Sequence, residues 1–391
     1  MHDVVLVDGV RTPHGTLLGS LSAVSAVELG RTAIDGLLAR TDLPPERIDW
    51  VAMGNAIQAG IGQVPGRQAV IASDLPETTP TTTVNEASGS GLRAIALAAD
   101  RIQAGRSSFA IAGGFESMSN APWILPELRS GKRHGDVTLK DSMILDALWD
   151  VSLDIHMGEI TERLVDRADE EHDLSRTRQD RYALESHQRA ARSIDEGQYE
   201  AEIVPIDTGR EVIDRDEGPR PESTLEELRE LPTAFRNDGT ITAANASKLA
   251  DGAGGVLLAD AKAAADAGLT PTARLVDYAV SYRPPDAFNE SVGDAIEKLL
   301  DRTGYDILDI DAFWVNEAFA AQSVYVMDRL GIPRERMNPR GGAIAYGHPI
   351  GASGGMLTAS LVHQLAQDDL ERGVVGMSIG GGGAIMALLE R

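Results

Sequence analysis

A serine lies where a strand-like run of the chain meets a helix-like run. Residues 81–102 read TTTVNEASGSGLRAIALAADRI, and Ser88 stands just before the glycines of the turn. The N-terminal N–H groups of a buried helix create a positive potential that could stabilise an oxyanion, which makes Ser88 a candidate nucleophile. Serine is also among the best helix N-caps, and the turn taken alone favours that structural role. The GxSxG pattern of hydrolases is absent, because Glu86 and Ser90 occupy its glycine positions.

Two further stretches carry residues that could act together with this serine. His348 lies in NPRGGAIAYGHPIGASGG, where glycines allow the backbone to approach a ligand closely. Asn316 and Glu317 follow a predicted strand in WVNEAFAAQ, and the ends of strands are common places for site residues in α/β folds. Together these stretches favour a chemical role for Ser88, with His348 as a candidate acid or base.

The composition excludes several classes of function. The 391-residue chain carries 60 acidic and 36 basic residues, a net charge of −24, which is unsuited to binding nucleic acid. It contains no cysteine, so disulfides, thiolate metal sites and cysteine nucleophiles are excluded. The eight histidines show no HxxxH or HExxH spacing, and the sequence therefore predicts no metal site.

The surface and the start of the chain indicate where the protein works. Only five residues are lysine, and a lysine-poor acidic surface favours adaptation to high salt, where self-repulsion is screened. An ordinary acidic cytosolic protein is the alternative. No apolar run is long enough to span a bilayer, and the opening MHDVVLVDGVRTP predicts a strand and turn rather than a signal peptide. We therefore expect a cytoplasmic, halophilic protein with no membrane partner.

Strand patterns alternate with helical patterns in the first and last thirds of the chain. The predicted strands are DVVLVDG, IDWVAMGNA, TTTVNEA and FAIAGGFES, then ARLVDYAVSY, IDAFWVNEA, MNPRGGAIAYGHP and GVVGMSIGGGGAIMALLER. Both thirds keep the same order of elements, which predicts two duplicated α/β domains. The highly charged middle indicates an inserted loop domain. The expected boundaries are 1–119 with 249–269 for the N-terminal domain, 120–248 for the loop domain and 270–391 for the C-terminal domain.

Several motifs, taken in order, resemble those of the thiolase family. They are NEASGSGLRAIALAADRI, GGFESMSNAPW, VNEAFA, GGAIAYGHPIGASGG and SIGGGGAIMALLER. The resemblance spans essentially the whole chain and is greatest to the acetyl-CoA acetyltransferase and 3-ketoacyl-CoA thiolase branch. It implies an α/β thiolase fold of two βαβαβαββ halves plus a loop domain, in a homodimer or homotetramer. It also implies reversible Claisen condensation of acyl-CoA with no metal or redox cofactor, coenzyme A being substrate and product.

The resemblance also implies roles for individual residues. Ser88 takes the position of the nucleophilic cysteine, and Ser378 that of a second cysteine that acts as acid and base. His348 assists the nucleophile and holds an oxyanion with Asn316, while Gly380 contributes a backbone N–H to a second oxyanion site. The residues expected to contact coenzyme A or the acyl chain are Leu148, His156, Met157, Arg220, Phe235, Ala243, Ser247, Ala318 and Phe319.

Both cysteine positions of the family hold serine in this chain. A serine hydroxyl becomes a nucleophile only when an adjacent base removes its proton, so Ser88 depends on His348. A neutral Ser378 hydroxyl cannot take a proton from carbon, and the sequence names no replacement base. Three interpretations stay open: a thiolase that forms an acyl-serine, a thioesterase-like enzyme, and a non-catalytic subunit that binds CoA esters, alone or with a second, non-identical chain. We favour the first, because the rest of the site is intact.

Overall fold

The computed structural model describes residues 2–391, and the chain opens with alternating strands and helices. Each element follows from its apolar pattern and its end signals. The first helix, for example, buries one face and begins at a capping box in which Ser25 and Glu28 exchange hydrogen bonds. The elements are β1 (Val4–Arg11), β2 (Gly15–Thr16), α1 (Ala26–Thr41), β3 (Trp50–Gly54), α2 (Pro65–Ala72), β4 (Thr81–Val84), α3 (Ser90–Gln103) and β5 (Phe109–Ser117).

The middle of the chain contains short strand pairs and two long helices. Its two long helices carry many charged residues and bury one side each, as amphipathic helices do. The elements are β6 (Trp123–Ile124), β7 (Lys140–Asp141), β8 (Trp149–Asp150), β9 (Ile155–His156), α4 (Met157–His172), α5 (Arg176–Asp195), β10 (Ile206–Asp207), β11 (Val212–Ile213) and α6 (Leu225–Glu230).

The remaining elements complete the first half and build the second. They are β12 (Ala250–Asp260), α7 (Ala261–Asp266), β13 (Ala273–Tyr282), α8 (Ser291–Thr303), β14 (Ala312–Val315), α9 (Ala320–Leu330), α10 (Ala343–Tyr346), α11 (Ser353–Gln367), β15 (Arg372–Ile379) and β16 (Gly383–Glu390). One predicted strand is wrong. The stretch MNPRGGAIAYGHP forms two isolated bridges, Met337 with Phe313 and His348 with Leu249, with the short helix α10 between them, because its glycines and proline interrupt a regular ladder.

Ten of the described strands form one sheet, and its order shows the duplication. The order is β14-β15-β16-β13-β1-β12-β5-β3-β4, with β2 paired to β12. In each half a parallel pair, β3 with β5 or β14 with β15, continues into antiparallel strands. The two halves meet at the antiparallel pair β1 and β13.

Two helices, one from each half, lie between the halves and set the place of the site. Helices α3 and α11 pack on each other and on strands of both halves, and their apolar side chains share one core cluster with those strands. Glycines allow this approach, since a Cβ on Gly354 would lie 2.1 Å from the Leu92 nitrogen and one on Gly91 would lie 2.8 Å from the Gly355 nitrogen. The N-terminal turns of the two helices are thereby brought together, each preceded by a candidate catalytic residue.

Candidate active site

The turn before α3 presents Ser88 rather than using it as a cap. The helix begins at Ser90, and its N-cap position is Gly89, so the capping interpretation of Ser88 is wrong. The Ser90 hydroxyl closes the turn instead, donating to the Ala87 carbonyl at 2.6 Å and accepting from the Glu86 N–H at 2.9 Å. Ala87 has a φ of 47°, a left-handed conformation that is strained for a residue with a Cβ. A strained turn fixed in this way holds Ser88 in one position.

His348 contacts Ser88 directly. Its Nε2 lies 2.9 Å from the Ser88 Oγ, and its Nδ1 lies 2.6 Å from the Ser353 Oγ. The Ser353 hydroxyl donates to the Pro349 carbonyl at 3.0 Å, so it is free to accept a hydrogen bond from Nδ1–H. This network assigns the proton to Nδ1 and leaves the Nε2 lone pair facing the Ser88 hydroxyl, which is the arrangement of a general base and its nucleophile.

The electrostatics of the site keep this imidazole neutral. Burial, with a smaller contribution from the nearby His14, lowers the pKa of His348 to about 4. No hydrogen bond joins its ring to a carboxylate within residues 2–391. His348 is therefore available as a base throughout the neutral range, although its basicity is low. Ser353 was not predicted from the sequence. Its place five residues after His348, at the start of α11, could have indicated a hydroxyl within reach of the imidazole.

A buried carboxylate from β5 holds one end of the loop that carries His348, residues 344–351, called the histidine loop below. Glu116 accepts hydrogen bonds from the Gly351 N–H at 2.8 Å, the Ala56 N–H at 2.9 Å and the Asn55 side chain at 2.7 Å. Burial raises the pKa of Glu116 to about 7, although these donors oppose the shift. Sequence reasoning missed Glu116 too, and its signal was an acidic residue inside a strand that is otherwise apolar or small.

A second buried carboxylate, Glu317, holds the other end of the same loop. It accepts from the Ile344 N–H at 3.2 Å, from the Ser186 hydroxyl at 2.7 Å and from the Tyr182 hydroxyl at 2.9 Å. The two hydroxyls come from α5, so Glu317 also ties the inserted segment to the loop. His348 lies between the two attachment points, and the loop is fixed on both sides of it.

The other predicted catalytic residues lie around this pair. Asn316 follows β14 and is 1% exposed, and its Nδ2 has no hydrogen-bond acceptor among residues 2–391. Gly380 follows β15 and faces the serine turn, since a Cβ built on it would lie 3.9 Å from the Ala87 Cβ. Ser378 is buried near the end of β15. Within the described chain it makes no hydrogen bond to Ser88 or His348, so the structure joins only the first serine to the histidine.

Four of the predicted substrate residues share one apolar cluster. Met157, Phe235, Ala318 and Phe319 pack together around a few fully buried side chains. The rings of Phe235 and Phe319 lie 6.3 Å apart at 78°, an edge-to-face arrangement. His156 stacks on Phe235 at 4.7 Å, and its Nδ1 accepts from the backbone at the start of α4, which leaves Nε2–H as its free donor. The cluster offers an apolar wall with one polar donor.

The remaining predicted substrate residues are spread more widely. Leu148 packs in a different cluster, with Met118 and Met143. Ser247 is tied to the wall by its N–H, which donates to the Ala318 carbonyl at 3.0 Å. Ala243 is exposed.

Arg220 supplies positive charge beside the site. Its side chain is exposed, and its backbone N–H donates to the His187 Nδ1 at 3.0 Å. The pKa of Lys248 is lowered to about 8 by burial and by the charge of Arg220, so the two cations are close. Lys248 lies two residues before the start of β12. The His348 N–H donates to the Lys248 carbonyl at 2.8 Å. Arg220 and Lys248 therefore form a basic group in a strongly acidic chain.

Two further observations concern metals and membranes. Across residues 2–391, no three histidine, aspartate or glutamate side chains are grouped as metal ligands would be. None of the helices in this part of the chain combines the length and the apolar character that a membrane crossing requires.

A hydrogen-bonded serine–histidine pair thus lies between two duplicated α/β halves, and comparison with known proteins gives the class of the enzyme. Residues 4–262 match the thiolase N-terminal domain and residues 269–391 match the thiolase C-terminal domain. The chain belongs to the thiolase family. The predicted family, fold class and enzyme class, acyltransferase, are confirmed.

The similar proteins extend over the full chain. A probable acetyl-CoA acyltransferase of Staphylococcus epidermidis is 42% identical, over 100% of this chain and 99% of that protein. The acetyl-CoA acetyltransferase of Escherichia coli is 42% identical over 100% of both chains. Among solved structures, the Bacillus anthracis acetyl-CoA acetyltransferase and human mitochondrial 3-ketoacyl-CoA thiolase in complex with CoA each superpose with a TM-score of 0.96 at 36% identity. Each match covers 100% of this chain, together with 99% of the Bacillus anthracis chain and 98% of the human chain.

Proposed function

We propose that the protein catalyses the reversible Claisen condensation of acetyl-CoA, and the thiolysis of 3-ketoacyl-CoA, through an acyl-serine at Ser88. The observation that carries this proposal is the 2.9 Å contact between Ser88 Oγ and His348 Nε2, with Nδ1 held by Ser353. A hydroxyl needs such an aligned base to attack a thioester. The names of the similar proteins support the substrate class.

The first half-reaction forms the acyl-serine. His348 Nε2 takes the Ser88 proton while Oγ attacks the thioester carbonyl. The carbon–sulfur bond then breaks, and the leaving thiolate takes the proton from the imidazolium. The proposed donors to the oxyanion formed at Ser88 are the backbone N–H groups of the Gly380 turn and of the turn before α3. The closeness of the two turns supports this, since a Cβ built on Gly380 would lie 3.9 Å from the Ala87 Cβ.

The second half-reaction forms the new carbon–carbon bond. His348, neutral again, takes a proton from the methyl carbon of a second acetyl-CoA, and the enolate attacks the acyl-serine carbonyl. The carbon–oxygen bond breaks, and the Ser88 oxygen recovers the proton from His348. One base therefore balances the protons of both half-reactions, and the Ser378 hydroxyl is needed only as a hydrogen-bond donor to the substrate. Asn316 Nδ2 is the proposed donor to the enolate oxygen as it forms, and His348 Nε2–H joins it once the proton has been taken.

The substrate is held by the residues already described. The proposed contacts to the acyl group and the pantetheine arm are the apolar wall of Met157, Phe235, Ala318 and Phe319, together with Leu148 from the separate cluster. Arg220 takes the phosphates of coenzyme A, where a guanidinium is well suited to an anionic ligand. His156, Ser247 and Ala243 line the approach. Coenzyme A is substrate and product, and the proposed chemistry uses no further cofactor.

The surroundings of the enzyme are proposed on composition and family. With a net charge of −24 and five lysines, we expect self-repulsion to be screened in molar salt, so the melting temperature rises with KCl. We propose a cytoplasmic homodimer or homotetramer, with a second, non-identical subunit as the alternative if the chain alone is inactive.

Cleavage of acetoacetyl-CoA by coenzyme A in molar KCl tests the proposal. We expect thiolysis by the native chain and its loss in Ser88→Ala. Free coenzyme A released without thiolysis or condensation would favour the thioesterase-like enzyme. A folded native chain that binds acetyl-CoA but turns over neither substrate would favour a non-catalytic subunit and contradict the proposal.

A further inference from the structure

A buried ion pair near the histidine loop holds a second histidine, His14. Asp216, from the inserted segment, is completely buried and accepts hydrogen bonds from the His14 Nδ1 and the His14 backbone N–H, both at 2.8 Å. Arg11, at the end of β1, donates to both oxygens of the same carboxylate, at 2.8 and 2.9 Å. Although burial alone would raise it, the Arg11 charge and these donors hold the pKa of Asp216 well below its usual range.

This arrangement fixes the tautomer of His14. An ionised carboxylate only accepts, so the His14 Nδ1 carries the proton and Nε2 is an acceptor. Among residues 2–391 nothing donates to that Nε2. The ring stacks on Tyr346 at 5.4 Å and 24°, and Tyr346 lies two residues before His348. The His14 ring is thus packed against the histidine loop through its contact with Tyr346.

A small cavity separates His14 from the catalytic residues. Its volume is about 20 Å³, and its polar lining includes His14, Asn316 and Ser353. Asn316 Nδ2 is a buried donor without an acceptor in the described chain, and His14 Nε2 is an acceptor without a donor. A cavity of this size has room for one water molecule. Such a water would accept from Asn316 and donate to His14, beside the Ser353 hydroxyl that contacts His348.

We propose that His14 is a further positioning residue of the reaction. Through the cavity, its Nε2 accepts the hydrogen bond that orients the Asn316 amide, and its ring packs against the loop that aligns His348 with Ser88. This inference rests on the proposed function, because it assigns His14 to that reaction. Packing alone does not explain a histidine at this position. An apolar ring would fill the same space without the cost of burying a polar imidazole beside a carboxylate.

Charge gives the proposal a readout that packing alone lacks. The charged and titratable groups around His14 are Arg11, Asp216, Glu202, Tyr199 and Tyr346. Burial lowers the pKa of His14 below its ordinary value, so His14 is the neutral acceptor near neutral pH and gains its charge only in acid. In that charged form it lowers the pKa of His348 beyond the effect of burial. Removing the imidazole therefore raises the pKa of His348. The acid limb of the pH–rate profile should move to higher pH.

The test compares His14→Phe with His14→Gln and with the control His363→Phe. Phenylalanine keeps the stacked ring without Nε2, whereas the glutamine amide can restore an acceptor. His363 is a half-buried histidine that contacts the Gly9 carbonyl of β1 and the Asp8 carboxylate, and it does not line the cavity. Acylation by acetyl-CoA and steady-state thiolysis are measured from pH 3.5 to 8, together with melting temperature.

We expect kcat to fall roughly 10- to 100-fold in His14→Phe, the scale of a catalytic group displaced by about 1 Å, with KM for coenzyme A unchanged. The acid limb moves up, His14→Gln recovers part of the rate, and His363→Phe changes neither. A native rate and an unmoved limb in His14→Phe would overturn the inference, as would losses that only follow melting temperature. If the native chain itself forms no acyl-enzyme, it is the proposed function that fails.

Discussion

Replacing Ser353 by alanine tests how the catalytic base is held. The Ser353 hydroxyl is the partner of His348 Nδ1 at 2.6 Å, and both residues are buried. Without it, Nδ1–H has no acceptor in the tautomer that can deprotonate Ser88, or in the imidazolium that follows. A buried N–H left unsatisfied costs about 1–3 kcal/mol. At about 1.36 kcal/mol for each factor of ten, kcat should fall by about 5- to 160-fold.

The matched control is Ser360→Ala. Ser360 lies on the same helix and lines the same cavity, but its hydroxyl donates to Glu202 at 2.6 Å instead of contacting the histidine. The assay is the initial rate of acetoacetyl-CoA thiolysis at saturating substrate, with melting temperature measured for both variants. A Ser353→Ala enzyme whose kcat stays within twofold of Ser360→Ala would refute the assigned tautomer and its role.

Three other predictions follow from the same geometry. Ser88→Cys introduces the only thiol of the chain in place of the Ser88 hydroxyl. We expect this variant to be acylated faster and to be inactivated by iodoacetamide. Resistance to the reagent would contradict an accessible nucleophile beside His348. Because the pKa of His348 is about 4, kcat should stay level from about pH 5 to 8 and fall as pH drops through about 4. A fall in kcat near the ordinary histidine pKa of about 6.5 would instead show that a different group is the base. In the folded state the pKa of Glu116 is about 7, against an ordinary value of about 4.5, so Glu116 binds more protons when folded. The stability it contributes is therefore lost as pH rises from about 4.5 through 7. Glu116→Gln should remove that slope in urea denaturation, and an unchanged slope would assign it to other groups.

The regular elements were predictable because their apolar periodicity reflects burial directly. Strand β5, for example, coincides with its predicted run FAIAGGFES. The stretch after α9 was not predictable in the same way. Its β-favouring residues are interrupted by Pro339, Gly341 and Gly342, and tertiary contacts with Glu317 decide its conformation.

The site was predictable only in part, because its residues come from distant parts of the chain. A motif could place Ser88 and His348 in one enzyme, but the hydrogen bond between them spans 260 residues. Local reasoning favoured a cap for Ser88, and the structure moves the helix start to Ser90 because that hydroxyl closes the turn. Glu116 acts through backbone N–H groups that no residue pattern records.

The most direct measurement of the central claim is the location of the acyl group. The native chain and Ser88→Ala are incubated with acetyl-CoA in molar KCl, quenched in acid, digested and analysed by peptide mass spectrometry. We predict one acetyl group on the peptide that contains Ser88 in the native chain, released when coenzyme A is added before the quench, and none on the corresponding peptide of the variant. A native chain that turns over acetoacetyl-CoA while its Ser88 peptide stays unmodified, or a variant that retains full activity, would contradict the acyl-serine mechanism.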